Sequence, residues 1–148
     1  MNPAQLESWI LANYRGLVVT DAYRERSFFY NPDRSLPKGV YFATIKTSDG
    51  PHDKASHLDR AEVYRLSFGL GKQRYRESFG TLPTRPAKGG VVDLAVDFTA
   101  TGVLMPHPVY AWMGWACINN PTPEDVGPLK MLLDRSYVDA VAKFARKK

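Results

Sequence analysis

Apolar residues recur at helical spacing near both ends of the chain. The N-terminal stripe consists of Leu6, Trp9, Ile10 and Tyr14. Residues 2–5, Asn-Pro-Ala-Gln, are typical of a helix start, and Gly16 is typical of a helix end. The C-terminal stripe consists of Leu129, Leu132, Leu133, Tyr137, Val141 and Phe144. Thr122 and the acids after it predict the start of this second helix, and Gly127-Pro128 predicts a bend or a restart.

Alternating apolar and polar positions between these helices predict β-strands. The segments are 17–22, 27–30, 40–47, 62–70 and 91–96, and a polar connection at 23–26 joins the first two. In 62–70 one face is apolar and predicts core, whereas the other carries Arg65 and Ser67 and predicts partial exposure. Residues 72–79 predict a short basic helix that Gly80 ends.

The stretch 105–119 contains two of the three tryptophans and the only cysteine. Interpreted as one extended strand, it places Val109 and Trp115 on one face and Tyr110 and Trp112 on the other. Both faces are mostly apolar, which predicts a strand buried on two sides, where the sheet meets helices or a second subunit.

The order of helix, several strands with one short inserted helix, and a helical C-terminus predicts an α+β fold with an antiparallel sheet. At 148 residues and 44% hydrophobic content, the chain predicts a single domain over 1–148. No apolar run approaches the roughly 20 residues of a membrane span, and the start lacks a signal pattern, so we expect a cytoplasmic protein. The single Cys117 has no basic residue beside it, which predicts an inert, buried thiol.

The formal net charge of +5 would suit a polyanion, because lysine and arginine replace the counterions of phosphates. The basic residues form no long run, which favours a solvated surface over a nucleic-acid face. The candidates for nucleic-acid contact, on the short helix and in the C-terminal Lys-Phe-Ala-Arg-Lys-Lys, are Lys72, Arg74, Arg76, Lys143 and Arg146.

A polar loop at 51–60 holds His57, Asp59 and Arg60 directly before a strand. A histidine near a carboxylate can serve as a general base, since its pKa lies near neutral pH. The competing interpretation, which we prefer, is that Asp59 caps the turn and pairs with Arg60 or another neighbour.

The segment Lys88-Gly89-Gly90 is similar to part of an anion-binding loop, but it lacks the spacing of a nucleotide-binding loop. A loop-to-strand entry is the favoured interpretation. His107 lies between two prolines that hold the backbone extended and can aim its ring across a pocket, and Asp97 is close enough in sequence to approach it in a hairpin. The favoured interpretation is that His107 satisfies a buried turn. His57, Asp59, Asp97 and His107 share no compact metal-ligand spacing, so we predict no metal site.

Trp112, Tyr110 and Trp115 can stack on a base, a planar ligand or another subunit, although core packing or a dimer interface is the favoured interpretation. We expect any ligand pocket to be lined by residues at loops and strand ends. These candidates are Lys46, His57, Asp59, Arg60, Lys88, Asp97, His107 and Trp112.

The C-terminal part of the chain resembles the end of the MmcQ/YjbR-like family, in which a tryptophan-bearing strand precedes an acidic-Ser-Tyr step and a basic helix. Here Trp115 and the segment 134–137 occupy those places. The whole chain, through residues 39–47, 57–69, 85–93 and 105–115, is more similar to a bacterial family of unknown function related to it. The resemblance implies a compact α+β fold with a curved antiparallel sheet of the CyaY-like kind. It implies no reaction.

One departure weakens a functional implication of this resemblance. Typical YjbR-like chains carry a His-Met-Asn-Lys run before the tryptophan strand, which hints at nucleic-acid binding. Residues 110–114 read Tyr-Ala-Trp-Met-Gly instead, with neither lysine nor asparagine.

The sequence contains no paired nucleophile and base and no cofactor fingerprint, so we expect no cofactor. The leading hypothesis is a non-enzymatic domain that binds a small ligand or a partner, with a homodimer as one such partner. One alternative is an acid–base enzyme that acts on a small anionic substrate. The other is nucleic-acid binding. The enzyme hypothesis requires a pocket with a histidine and a carboxylate within hydrogen-bond reach.

Overall fold

The computed structural model describes residues 1–22 and 24–147, in which three α-helices accompany a six-stranded sheet. The helices are α1 (Pro3–Asn13), α2 (Lys72–Phe79) and α3 (Val126–Lys147). The strands are β1 (Leu17–Ala22), β2 (Glu25–Tyr30), β3 (Val40–Lys46), β4 (Arg65–Gly69), β5 (Leu104–Pro106) and β6 (Trp115–Asn119). Short 3₁₀ turns cover Pro32–Arg34, Ala111–Met113 and Pro123–Asp125.

The sheet order is β1-β2-β3-β4-β6-β5, every neighbouring pair is antiparallel, and the sheet does not close into a barrel. The predicted α+β class and antiparallel sheet are therefore confirmed. The predicted connection at 23–26 is shorter in the structure, because β2 already begins at Glu25. Its Tyr23, like Lys148 of the basic C-terminus, lies outside the described residues.

Local capping explains where the long helices begin. In α1 the side chain of Asn2 accepts from the Gln5 amide at 2.8 Å, and Gln5 returns a bond to the Asn2 amide at 2.9 Å. Thr122 and Asp125 form a similar box ahead of α3. The predicted break at Gly127-Pro128 is wrong, because Pro128 falls in the first turn of α3, where no intrahelical N–H is needed.

One face of the sheet forms the apolar core. Phe28, Ile45, Leu66 and Phe68 are almost fully buried there, and Leu6 and Ile10 of α1 belong to the same cluster. Contacts between α3 and the rest of the fold are partly polar. The hydroxyl of Tyr14 donates to Asp134 at 2.7 Å, and the hydroxyl of Tyr137 donates to the Arg15 carbonyl at 2.6 Å.

The opposite face of the sheet is polar, and we call it the polar face. Because paired residues of antiparallel strands share a face, the register aligns two rows of side chains across four strands. The rows are Ser27, Thr44, Ser67 and Cys117, and beside them Glu25, Lys46, Arg65 and Asn119. Arg65 and Ser67 are fully buried, so the predicted partial exposure of this face of β4 is wrong. The segments 48–60 and 98–110 contribute the contacts that bury it.

Two further predictions about strands are wrong. The stretch 105–119 is not one strand but β5 and β6 with a 3₁₀ turn between them, because Gly114 has φ +84° and reverses the chain. A side chain at Gly114 would also lie 2.9 Å from the backbone of Gly71. Residues 91–96 form no strand, since the amides of Leu94 and Val96 bond to carbonyls only two residues back.

Candidate functional site

A buried ion pair lies under the polar face. Both terminal nitrogens of Arg65 donate to the two carboxylate oxygens of Asp53, one of them at 2.9 Å. The remaining donors of Arg65 contact the hydroxyl oxygens of Ser56 at 3.0 Å and Ser67 at 3.2 Å. Arg65 is 0% exposed and Asp53 is mostly covered, so this pair joins the 48–60 loop to the centre of the sheet.

Each member of this pair stabilises the charge of the other. Burial opposes ionisation of Asp53, but the hydrogen bonds and the charge of Arg65 outweigh it, so the pKa of the Asp53 carboxyl is lowered. Burial likewise opposes the charge of Arg65, and Asp53 outweighs it, so the Arg65 pKa is raised. Both groups therefore stay charged in an enclosed place.

Lys46 and Glu25 continue the same row of the sheet. Lys46 pairs in register with Glu25 on one side and with Arg65 on the other. Its side chain is 4% exposed and has no ion pair or hydrogen bond within residues 1–22 and 24–147. Two cationic side chains of this row are therefore buried beside one hydrogen-bonded carboxylate. Burying a charge without an ion-pair partner costs free energy, so such a cluster is a candidate functional site.

His107 lies at the edge of the same cluster and is 2% exposed. Its Nδ1 accepts the backbone amides of Val109 at 3.0 Å and Tyr110 at 3.1 Å. Burial, followed by the positive charge of Arg65, lowers the His107 pKa well below its usual range. The imidazole is therefore neutral, and because Nδ1 is an acceptor, the proton lies on Nε2.

A groove of about 480 Å³ is lined on one side by α3 and on the other by residues of the polar face, and His107 links it to this cluster. The sheet side contributes Glu25, Tyr41 and Thr44, and the turn between β5 and β6 contributes His107, Tyr110, Met113 and Trp115. The helix side consists of Ser136, Asp139, Ala140, Lys143 and Lys147. The volume lies within the range of about 300–1,000 Å³ that small-molecule pockets occupy.

Aromatic side chains form one wall of the groove. The rings of Tyr41 and Trp115 meet edge to face with centroids 6.2 Å apart. Trp115 reaches across β4 and packs over Gly69, where a Cβ would lie in ordinary contact with the indole, 3.5 Å from its nitrogen. Tyr110 lies against His107 with centroids 5.2 Å apart. Burial and the negative charges of Asp53 and Glu25 raise the pKa of Tyr110.

The eight ligand candidates from the sequence do not share one pocket. His107 lines the groove, and Lys46 lies in the cluster beneath it. His57 lines a separate hollow of about 420 Å³ at the 48–60 loop. Lys88 is exposed in the loop before residue 91, and the indole of Trp112 donates to the Val109 carbonyl at 3.0 Å under the guanidinium of Arg85. Their roles in binding stay predictions.

Three of these candidates hold loops together. Asp59 accepts the amide of Asp49 at 3.1 Å. Arg60 donates to the carbonyls of Ser56, His57 and Thr99, and Asp97 accepts both the amide and the hydroxyl of Thr99. Asp59 therefore holds two parts of the loop together, whereas the predicted ion pair with Arg60 is not present among the described residues.

The nucleic-acid candidates lie on two helices that an ion pair joins. Arg74 of α2 contacts Asp139 of α3 and also donates to the Leu70 carbonyl at 2.8 Å. The other four candidates, Lys72, Arg76, Lys143 and Arg146, are exposed. Among the described residues, no three His, Cys, Asp or Glu side chains converge as a metal ion would need.

Sequence reasoning missed Glu25, Tyr41, Asp53 and Arg65. The available signal was Arg65 in an otherwise apolar strand, where an arginine either faces water or finds a buried partner. The partner, Asp53, comes from a loop twelve residues earlier, and sequence spacing does not identify it.

The fold and the groove define an α+β protein with a polar sheet face, a buried charge cluster and an open aromatic wall. The sequence model of DUF6194, a family of unknown function, matches residues 1–148, and the chain belongs to that family. Membership in a family of unknown function was predicted and is confirmed. No curated protein and no solved structure matches the chain, and none of these findings links it to MmcQ/YjbR-like proteins. Within the part described, no helix is long and apolar enough to cross a bilayer.

Proposed function

We propose that the protein is a binding domain whose groove, between α3 and the polar face, takes a small molecule. The observation that carries this proposal is the groove itself, in which exposed apolar side chains adjoin buried polar groups. Tyr41 is 48% exposed, Tyr110 46% and Met113 44%, and all three line it. Apolar surface gathered in a concave site with a few fixed polar groups is typical of ligand pockets.

Binding is favoured over catalysis by the contacts of the two candidate histidines. The enzyme hypothesis requires a hydrogen bond between a histidine and a carboxylate. In residues 1–22 and 24–147, His107 accepts only from backbone amides, and the His57 side chain bonds to no carboxylate. The fixed, neutral His107 instead suits a donor that orients a ligand.

The groove can be tested by observing amide and methyl NMR signals during titration with a library of soluble aromatic fragments. We expect shifts to cluster at Tyr41, Tyr110 and Trp115, because these residues form the wall. In Met113→Ala the affinity should fall, whereas Met131→Ala, which removes a methionine that is 68% exposed elsewhere on α3, should leave it unchanged. Shifts confined to other surfaces, or equal effects of the two variants, would contradict the proposal.

Nucleic-acid binding is a second candidate because the Arg74–Asp139 pair brings the basic α2 alongside the basic end of α3. A fluorescence titration with short DNA and RNA at low salt tests it. Binding that weakens steeply with salt and with Lys72→Gln supports this candidate. No affinity at about 20 mM salt, where the Debye length exceeds 20 Å, rejects it.

Three broader proposals accompany the groove. A homodimer is supported by Met131 and Val138, which are 68% and 64% exposed and lie two turns apart on one side of α3. Light scattering after gel filtration tests it.

A cytoplasmic location is supported by the single buried cysteine, Cys117. A distant MmcQ/YjbR-like relationship is supported by the quoted motifs, and superposition of an experimental structure tests it.

A further inference from the structure

We infer that the ligand of the groove is a planar heteroaromatic compound with an anionic tail, of which a nucleoside monophosphate is the simplest probe. This inference rests on the proposed function and names the chemistry that the lining residues select. It follows from three parts of the groove: the aromatic wall, the polar floor and the basic end of α3.

The aromatic wall suits a flat ring. Tyr41 of β3 and Trp115 of β6 meet across β4, and Tyr110 presents a third ring from the turn after β5. Aromatic side chains stack on the faces of planar heterocycles and tolerate different bases, because every base has a π-face. Met113 adds a flexible, polarisable contact beside them.

The polar floor has unused hydrogen-bonding groups that a heterocycle edge would satisfy. Thr44 is 6% exposed and lines the groove, yet within the described chain its hydroxyl has no hydrogen-bond partner. The Nε2–H of His107 likewise has no acceptor there. Glu25 lines the same end of the groove without an ion pair in residues 1–22 and 24–147, so donors and an acceptor are both available to a ring edge.

The Thr44 hydroxyl and the His107 Nε2–H are open to the groove: among the described residues, the sealed side-chain atoms without a hydrogen-bond partner are the Tyr75 hydroxyl and Asn119 Oδ1. A polar ligand in the groove can therefore replace the water at Thr44 and His107 with hydrogen bonds of its own.

The basic end of α3 suits an anion. Asp139 is neutralised by Arg74, which leaves Lys143 and Lys147 as the lining cations on the helix, and neither has an ion pair within the described chain. The carbonyl end of a helix carries only about half a negative charge, so two lysines outweigh it. From Ser136 to Lys147 the helix rises roughly 16 Å, enough to separate a ring site from an anion site.

The test is isothermal titration of the full chain with AMP and GMP, with adenosine and guanosine, and with inorganic phosphate alone. We expect at least one nucleotide to bind, its nucleoside to bind about tenfold more weakly, and phosphate alone to bind more weakly still. Lys143→Gln should weaken the nucleotide about tenfold and leave the nucleoside unchanged. Arg146→Gln, which removes a charge from the same helix outside the groove, should change neither.

A conservative variant tests the polar floor. Thr44→Val keeps the shape of the side chain and removes its hydroxyl, so it should weaken nucleotide and nucleoside by the same factor. If Thr44→Val binds nucleotide and nucleoside with unchanged affinity, the polar floor does not contact the ligand and that part of the inference is wrong.

The contradicting outcomes separate the inference from the proposed function. If nucleosides bind in the groove as tightly as nucleotides, the anionic tail is wrong and the binding groove stands. If phosphate binds as tightly as AMP, the site is an anion patch and the ring is wrong. If no nucleotide binds while the aromatic fragments still map to the groove, the inference fails alone. If neither nucleotides nor fragments bind, both fail.

Discussion

Removing the carboxylate of Asp53 should destabilise the protein more than any change to an exposed ion pair. Arg65 is 0% exposed and Asp53 neutralises it through paired hydrogen bonds, so Asp53→Asn leaves a guanidinium buried with no counter-charge bonded to it. Breaking a buried pair in this way costs about 3–5 kcal/mol. Since domains are stable by only about 5–15 kcal/mol, this is a large fraction of the whole.

Urea unfolding monitored by tryptophan fluorescence measures the free energy of unfolding of each variant. For a chain of this size, a loss of about 3–5 kcal/mol corresponds to a melting temperature lower by roughly 6–20 °C. The matched control is Asp139→Asn, which breaks the Arg74 pair at a carboxylate that is 56% exposed and should cost less than about 1 kcal/mol. Equal, small effects of the two variants would refute the buried charge cluster.

The double variant Asp53→Asn/Arg65→Met tests the cause of that loss. Replacing the cation by an apolar side chain removes the uncompensated charge, so the double variant should recover part of the stability that Asp53→Asn loses. Because the Asp53 pKa is lowered, its contribution is present above its ordinary value of 3.8 and is lost as the pH falls through the lowered pKa. Asp53→Asn should therefore lose part of the wild-type acid dependence.

Three other predictions concern pH, backbone and reactivity. Because the pKa of His107 is lowered, below its ordinary value of 6.5 the unfolded chain takes up a proton that the folded chain does not. The free energy of unfolding should therefore fall by up to about 1.4 kcal/mol for each pH unit below 6.5. In urea titrations between pH 6.5 and 5, His107→Asn should reduce this slope. Gly114→Ala should lower the free energy of unfolding by more than about 1 kcal/mol, because φ is +84° and the new Cβ would lie 2.9 Å from backbone atoms. The control Gly127→Ala, whose Cβ would have no atom within 4 Å, should leave the melting temperature unchanged or raise it. Burial raises the pKa of the Cys117 thiol to about 12, so a disulfide reagent should label it only after unfolding, and rapid labelling of the native protein would contradict its burial.

The sequence signals that succeeded were local ones. The Asn2 and Gln5 box marks the start of α1, Gly80 ends α2, and alternation locates β3 and β4. These patterns depend on hydrogen bonds and burial within a few residues, so a single sequence contains them.

The sequence signals that failed depend on contacts distant along the chain. The apolar stretch 105–119 suits one buried strand, but Gly114 turns it back so that β5 and β6 pair. The alternating pattern predicts that Arg65 lies on a solvent-exposed face, because charged residues are usually exposed. In the structure Asp53 and Ser56 approach from a loop, and their hydrogen bonds to Arg65 offset the free-energy cost of burying it.

The candidate site was predictable only in part. For His107 the favoured interpretation was a histidine that satisfies a buried turn, and its Nδ1 does accept the amides of Val109 and Tyr110; the alternative of a ring aimed across a pocket stays a prediction, although His107 also lines the groove. The aromatic wall was predicted only in part: Tyr110 and Trp115 were identified as residues that can stack on a ligand, whereas Tyr41 was not, because its contact with Trp115 is made across β4. Such a contact requires the strand order, which no spacing in this sequence determines.

The central claim, a ligand groove between α3 and the polar face, is tested most directly by a crystal structure of protein purified under native conditions and soaked with AMP. The account predicts density for a flat ring against Tyr41 and Trp115, with the anionic group toward Lys143 and the ring edge toward Thr44 and His107. A groove filled by the protein's own side chains, or density bound only elsewhere on the surface, would contradict it.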